Sequence, residues 1–144
     1  MKKLLILVLL VLSLIMIPGC DLFEEKGDIN DYVGVYYLET ANERTYHVYW
    51  GSEKITGERT LIHDSFHLTI NEDKTVIITD KDGKETKGRI KCLKDYCRFY
   101  STPLESSYKF YRRYDNCLYY SYESKHMSVE YDVTYRSIIL RKEN

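Results

Sequence analysis

The sequence predicts an all-β fold, and three observations predict it. The 144 residues include 15 tyrosines but only 7 glycines and 2 prolines, a composition suited to pleated, half-buried strands. Beyond residue 20, apolar residues recur in short runs with a period of two, and no long amphipathic helical pattern follows. Compact clusters of Asn, Asp, Lys and Gly separate these runs at the intervals of a meander.

The first element is a leader. Lys2 and Lys3 make a positive start, and Leu4 to Ile17 is an apolar block interrupted only by Ser13. This block is shorter than the roughly 20 residues a membrane-spanning helix needs, so it reads as a secretory segment. It ends in Ile17-Pro18-Gly19-Cys20, which resembles the bacterial lipobox: a branched aliphatic residue, two smaller positions and a Cys. Pro18 stands where Ala or Ser is usual. The resemblance implies removal of residues 1–19 and attachment of diacylglycerol and palmitate-type chains to Cys20. The protein is then expected on the extracytoplasmic face of the cell membrane, since a two-chain lipid holds where one chain would exchange.

Residues 20–31 follow as an acidic tether, Asp21-Leu22-Phe23-Glu24-Glu25-Lys26-Gly27-Asp28-Ile29-Asn30-Asp31, with little to build a core. Extended, it would reach up to roughly 35 Å from the lipid. Residues 32–144 form a single domain. The 21 basic and 22 acidic side chains become 19 and 22 once Lys2 and Lys3 are removed, a balance that gives no sequence-independent pull toward nucleic acid.

Within the domain, Val33 to Leu38 is the first strand. Thr40 to Ile62 is ambiguous, with Thr45 to Trp50 extended but Gly51 and Gly57 interrupting. Phe66, Leu68 and Ile70 share one face of the next strand, Asn71 to Lys74 turns the chain, and Thr75 to Thr79 returns. Asp80 to Lys84 is a second turn; its acidic spacing does not make a calcium loop, because Ile78 and Lys84 stand where such a loop needs other residues. Strands follow at Glu85 to Cys92, Cys97 to Ser101, Tyr108 to Arg113, Cys117 to Tyr122, Met127 to Val133 and Tyr135 to Arg141. Closing about eight antiparallel strands into a barrel removes exposed edges.

Gly34-Val35-Tyr36 at the first strand, the long meander and Arg141 on the last strand resemble the lipocalin-like (calycin) pattern of small bacterial lipoproteins. The resemblance implies a small lipocalin-like β-barrel in which Arg141 closes one end over the Tyr36 ring, with Gly34 as a structural residue.

Chemistry-bearing residues are few. Cys92 and Cys97 flank a four-residue loop and can face each other across a hairpin, as a disulfide or as buried thiols; Cys117 reads as a small core residue. His63-Asp64-Ser65 has the residue types of a hydrolytic triad, but neighbours on an extended chain point to opposite faces. His63 and His67 would lie about 13 Å apart on a strand, too far for one metal ion. No catalytic residue, metal site or cofactor is expected. The interleaved rings and cations of Tyr108 to Tyr114, with Tyr119, Tyr120 and Tyr122, suit a barrel filling and a binding surface; export makes single-stranded nucleic acid an unsuitable partner. The expected function is a monomeric, lipid-anchored, non-enzymatic binding protein. Tyr36, Trp50, Tyr108, Phe110 and Tyr120 would line one end of the barrel around a small apolar or aromatic ligand or an envelope component. The alternative is a protein-interaction module, such as an inhibitor of an envelope hydrolase, acting through surface loops with Thr102 to Ser107 protruding.

Overall fold

The computed structural model describes residues 24–113, 115–125 and 130–144; Cys20, the leader, Met127 and Val129 lie outside them. Alternation of apolar and polar residues produces nine strands: β1 Gly34–Tyr49, β2 Ser52–Thr60, β3 Phe66–Ile70, β4 Thr75–Asp80, β5 Glu85–Cys92, β6 Tyr96–Tyr100, β7 Phe110–Arg113, β8 Cys117–Lys125 and β9 Glu130–Lys142. One 3-10 turn, Ile29–Asp31, precedes them. Neighbouring strands are antiparallel, and β9 pairs back onto β1, so eight strands close into a barrel with β2 as an extra strand. The closed barrel is compatible with a lipocalin-like one. No helix among the described residues is long and apolar enough to cross a membrane.

The ambiguous stretch resolves into the second half of β1 and all of β2. Trp50 and Gly51 form the two-residue turn between them, with φ of 49° and 77°, the left-handed pair that suits the twist of a tight hairpin. β1 changes partner along its length: Gly34–Tyr37 pair with β3, while Asn42–Tyr49 pair with β2. β9 follows β1 throughout, where two separate strands were expected, and β8 runs on with β9 past its last pairing with β7. The sheet β2-β1-β9-β8 therefore projects beyond the barrel mouth as a four-stranded extension.

The core follows from the period of two. Leu68, Ile70, Val76, Phe99, Phe110, Leu118, Ile138 and Leu140 are fully buried, each contributing about 1.5–3 kcal/mol by leaving water. Leu104, in the connection between β6 and β7, is buried in the same cluster. Leu104 anchors the Thr102 to Ser107 loop to the barrel, while Pro103, Glu105, Ser106 and Ser107 are exposed.

The opposite end is closed by the chain before β1. Tyr32 is buried and its hydroxyl donates to the Leu93 carbonyl at 3.0 Å; the Tyr36 hydroxyl donates to the Tyr32 carbonyl at 2.8 Å. The segment expected as a free tether is docked from Glu24 onward. Gly27 N–H donates to Cys92 O at 3.3 Å, and Lys94 N–H donates to Glu25 O at 3.0 Å. A side chain at Gly27 would overlap the Leu93 carbonyl, so only glycine permits this approach.

Candidate functional site

A β-bulge sets which side chains reach the mouth. Glu39 is an extra residue between Leu38 and Thr40 in the β1–β9 ladder, and it reverses the alternation so that Ala41 and Glu43 face inward. Arg136 stands directly opposite Glu43 on β9, and Arg59 opposite it on β2. The Arg59 guanidinium donates to both carboxylate oxygens of Glu43, at 2.6 and 3.2 Å, and Arg136 Nε donates to the second. These bonds, from Arg59 first and Arg136 next, hold the Glu43 carboxyl below its usual pKa.

Beside this cluster, Tyr108 and Tyr120 lie ring to ring at 4.5 Å between centroids, with the buried Phe110 ring 6.3 and 6.1 Å from them. Burial raises the pKa of both tyrosines, and the Arg136 charge acts in the opposite direction on each. The Arg136 guanidinium also lies over the Tyr122 ring at 5.6 Å. An open cleft of about 520 Å³ results, lined by Arg59, Leu61, His63, Glu105, Tyr108 and Arg136. Tyr108 is the tyrosine ring that reaches it, backed by Tyr120, and its wall carries two guanidinium groups that share one buried-side carboxylate, an arrangement suited to a ring bearing an anionic group.

Of the five residues expected around a ligand, the fold brings together Tyr108, Phe110 and Tyr120. Tyr36 is elsewhere: it is buried at the far end of the barrel, its hydroxyl used internally. Trp50 is at the hairpin tip and 77% exposed, because the Trp50-Gly51 turn lies at the limit of the extension. The barrel interior between the two ends is filled by core side chains, and the clefts open on its surface.

Arg141 does not close the barrel over Tyr36. Its register partner is Tyr37, so its side chain points outward, where it holds Glu39 through two bonds of 3.0 and 3.1 Å. Lys142 is the residue opposite Tyr36, and Lys142 and Arg112 share a surface cleft with it. Gly34 has φ of 149°, and the Lys142 side chain lies in the space a Cβ would occupy there. Cys92 and Cys97 are directly opposed, as expected, but both are free thiols, and Cys117 is a buried free thiol. Burial pushes Cys92 up to about 11 and Cys97 well above the usual thiol value.

Sequence reasoning missed Glu43, Arg59 and Arg136. A charged residue one turn of the alternation from Ala41 is a visible signal, but the Glu39 bulge that turns it inward is not. Among the described residues no group of three or more His, Cys, Asp or Glu side chains is placed to hold a metal ion. His67 packs edge-on against Tyr37 at 4.3 Å, and His63 belongs to the mouth cleft. No protein-family model matches this chain, and no curated protein and no solved structure matches it significantly.

Proposed function

We propose that this protein is a lipid-anchored, non-enzymatic binding module of the cell envelope, of lipocalin-like type, whose ligand sits at the barrel mouth and not inside the barrel. The observation that carries the reading is the Tyr108–Tyr120 ring pair, 4.5 Å between centroids, with Tyr108 and Arg136 lining an open cleft. Rings offer area without much conformational entropy to lose, and a guanidinium fixes the orientation of an anionic group. The ligand class is accordingly a small molecule or polymer end with an aromatic or apolar ring and a carboxylate or phosphate.

The anchor supports this placement. Lipid on Cys20 lies four residues from Glu24, where the chain is already docked at the closed end, so the free reach is about 13 Å. The mouth and the strand extension are at the other end of every strand, directed away from the lipid.

The test is mass spectrometry of small molecules released from protein purified from its native membrane. Wild type should carry an anionic, ring-bearing compound, and Tyr108→Ala and Arg136→Gln should carry much less while keeping the wild-type circular dichroism. A compound retained equally by all three contradicts the reading.

A second reading, contact with a partner protein, is favoured by the hairpin tip alone: Tyr49, Trp50 and Ile55 are 52%, 77% and 53% exposed. It predicts that Trp50→Ala abolishes cross-linking to a membrane partner without lowering stability.

A further inference from the structure

The outer wall of the barrel across β5, β6 and β7 concentrates positive charge that the mouth does not use. Ile90, Cys92, Cys97, Phe99 and Phe110 belong to the core, so the residues alternating with them, Arg89, Lys91, Arg98 and Lys109, face outward. Lys91 stands directly opposite Arg98. The β6–β7 register pairs Cys97 with Phe110 and, carried one residue further, sets Lys109 beside Arg98. Three cations thus form one row across three strands, with Arg89 beside Lys91 along β5 at a spacing of about 6.8 Å.

We propose that this row is a binding surface for a linear phosphate-bearing polymer. Three observations meet on it. Like charges directly opposite each other repel, and Arg89, Arg98 and Lys109 have no carboxylate partner among the described residues. The Arg98 Nε is buried and bonded to no acceptor among them, a donor whose acceptor must come from outside the fold. The row already takes an anion at one end: Glu24, from the segment docked before β1, accepts from the Lys91 ammonium at 3.4 Å and from the Tyr96 hydroxyl.

The Tyr96 ring beneath the row decides which part of a polymer is read. The Arg98 guanidinium and the Lys109 ammonium lie over it at 5.4 and 4.6 Å, and it is only 9% exposed. It therefore holds the cations in place and offers no face to a base or a sugar. Lys91 and Lys109 act as point charges on either side of the Arg98 fork. That spread suits the several oxygens of successive phosphates better than the two oxygens of one carboxylate, which a single guanidinium satisfies.

The test is a titration of the full-length protein, in neutral detergent micelles, with fluorescently labelled polyphosphate, read by anisotropy over a range of salt. Wild type should bind saturably, with log Kd rising against log salt at a slope of about 3, or ~0.7 for each of the four cations. Arg98→Gln and Lys109→Gln should each weaken binding at least about fivefold and cut the slope by about 0.7, with unchanged circular dichroism. Arg98→Lys, which keeps the charge, should keep the slope. Arg136→Gln at the mouth and Tyr111→Ala, which removes the exposed ring beside Tyr96, should leave binding unchanged. No saturable binding, a slope untouched by both charge-removing variants, or an equal loss in Arg136→Gln would overturn the assignment. Tighter binding of polygalacturonate or of oligothymidylate of equal charge, or displacement by phosphatidylglycerol added to the micelles, would overturn it too.

Discussion

Glu43 on β1 and Arg136 on β9 stand directly opposite each other and are joined by a hydrogen bond from the guanidinium to the carboxylate. The pair sits where the barrel ends and the extension begins, and Arg59 joins it from β2. One carboxylate thus ties three strands together and holds the Arg136 charge beside the Tyr108–Tyr120 rings.

Glu43→Gln should lower stability by about 1 kcal/mol at neutral pH, since it weakens two charge-assisted bonds at once. The Glu43 pKa is depressed in the folded state, so its contribution is present above the ordinary carboxylate value and is lost as pH falls through the lowered one. Urea unfolding of both proteins should show a difference at pH 7 that closes in acid. A difference independent of pH contradicts this role.

His47 lies between Asp132 at 2.9 Å and Glu130 at 2.8 Å, one carboxylate on each ring nitrogen, with Lys54 opposite on β2. Both nitrogens can donate only when the ring is a cation. Its pKa is raised by the Asp132 bond and then the Glu130 bond. The stabilisation is therefore complete below the ordinary histidine value and disappears as pH rises through the raised one. Hydrogen exchange at Tyr46 to Tyr49, corrected for intrinsic rate, should accelerate over that rise in wild type and not in His47→Gln.

Trp50→Asn should raise stability by up to about 1 kcal/mol, because a bulky residue is held at φ of 49° in a turn that favours Asn before Gly. The urea midpoint, followed by circular dichroism, reads this. A lower midpoint would mean that the exposed indole packs in a way that stabilises the fold.

The three described cysteines should resist alkylation. Cys92 is pushed up to about 11 by burial and Cys97 higher, so at pH 8 native protein should react with iodoacetamide at least about a hundredfold more slowly than unfolded protein. A Cys92–Cys97 cross-linked peptide in a non-reducing map of freshly isolated protein would contradict the free-thiol state.

Much of the barrel is legible in the sequence because its strands have a wet face and a dry one. Phe66, Leu68 and Ile70 announce β3, and Glu85–Cys92 is β5 to the residue. The extension is not legible for the opposite reason: β2 is exposed nearly throughout, so no apolar alternation marks it. The bulge at Glu39 hides the rest, since one extra residue exchanges inside for outside along the remainder of β1. Tyr108, Phe110 and Tyr120 can be grouped from adjacent strands, whereas the meeting of Glu43 with Arg136 depends on register between the first and last strands. Arg141 faces outward by a one-residue parity that the sequence does not reveal, its neighbour Lys142 being the one opposite Tyr36. The docked segment from Glu24 is held largely by backbone bonds, which leave little side-chain pattern to read.

The central claim is that the mouth, through Tyr108 and Arg136, binds an anionic ring. Equilibrium titration with 1-anilinonaphthalene-8-sulfonate, whose rings carry one sulfonate, tests it most directly. Wild type should show saturable one-site binding, weakened at least about tenfold, or about 1.4 kcal/mol, by Tyr108→Ala and by Arg136→Gln, and unchanged by Trp50→Ala. Equal binding by wild type and both mouth variants, or loss of binding only in Trp50→Ala, would contradict it.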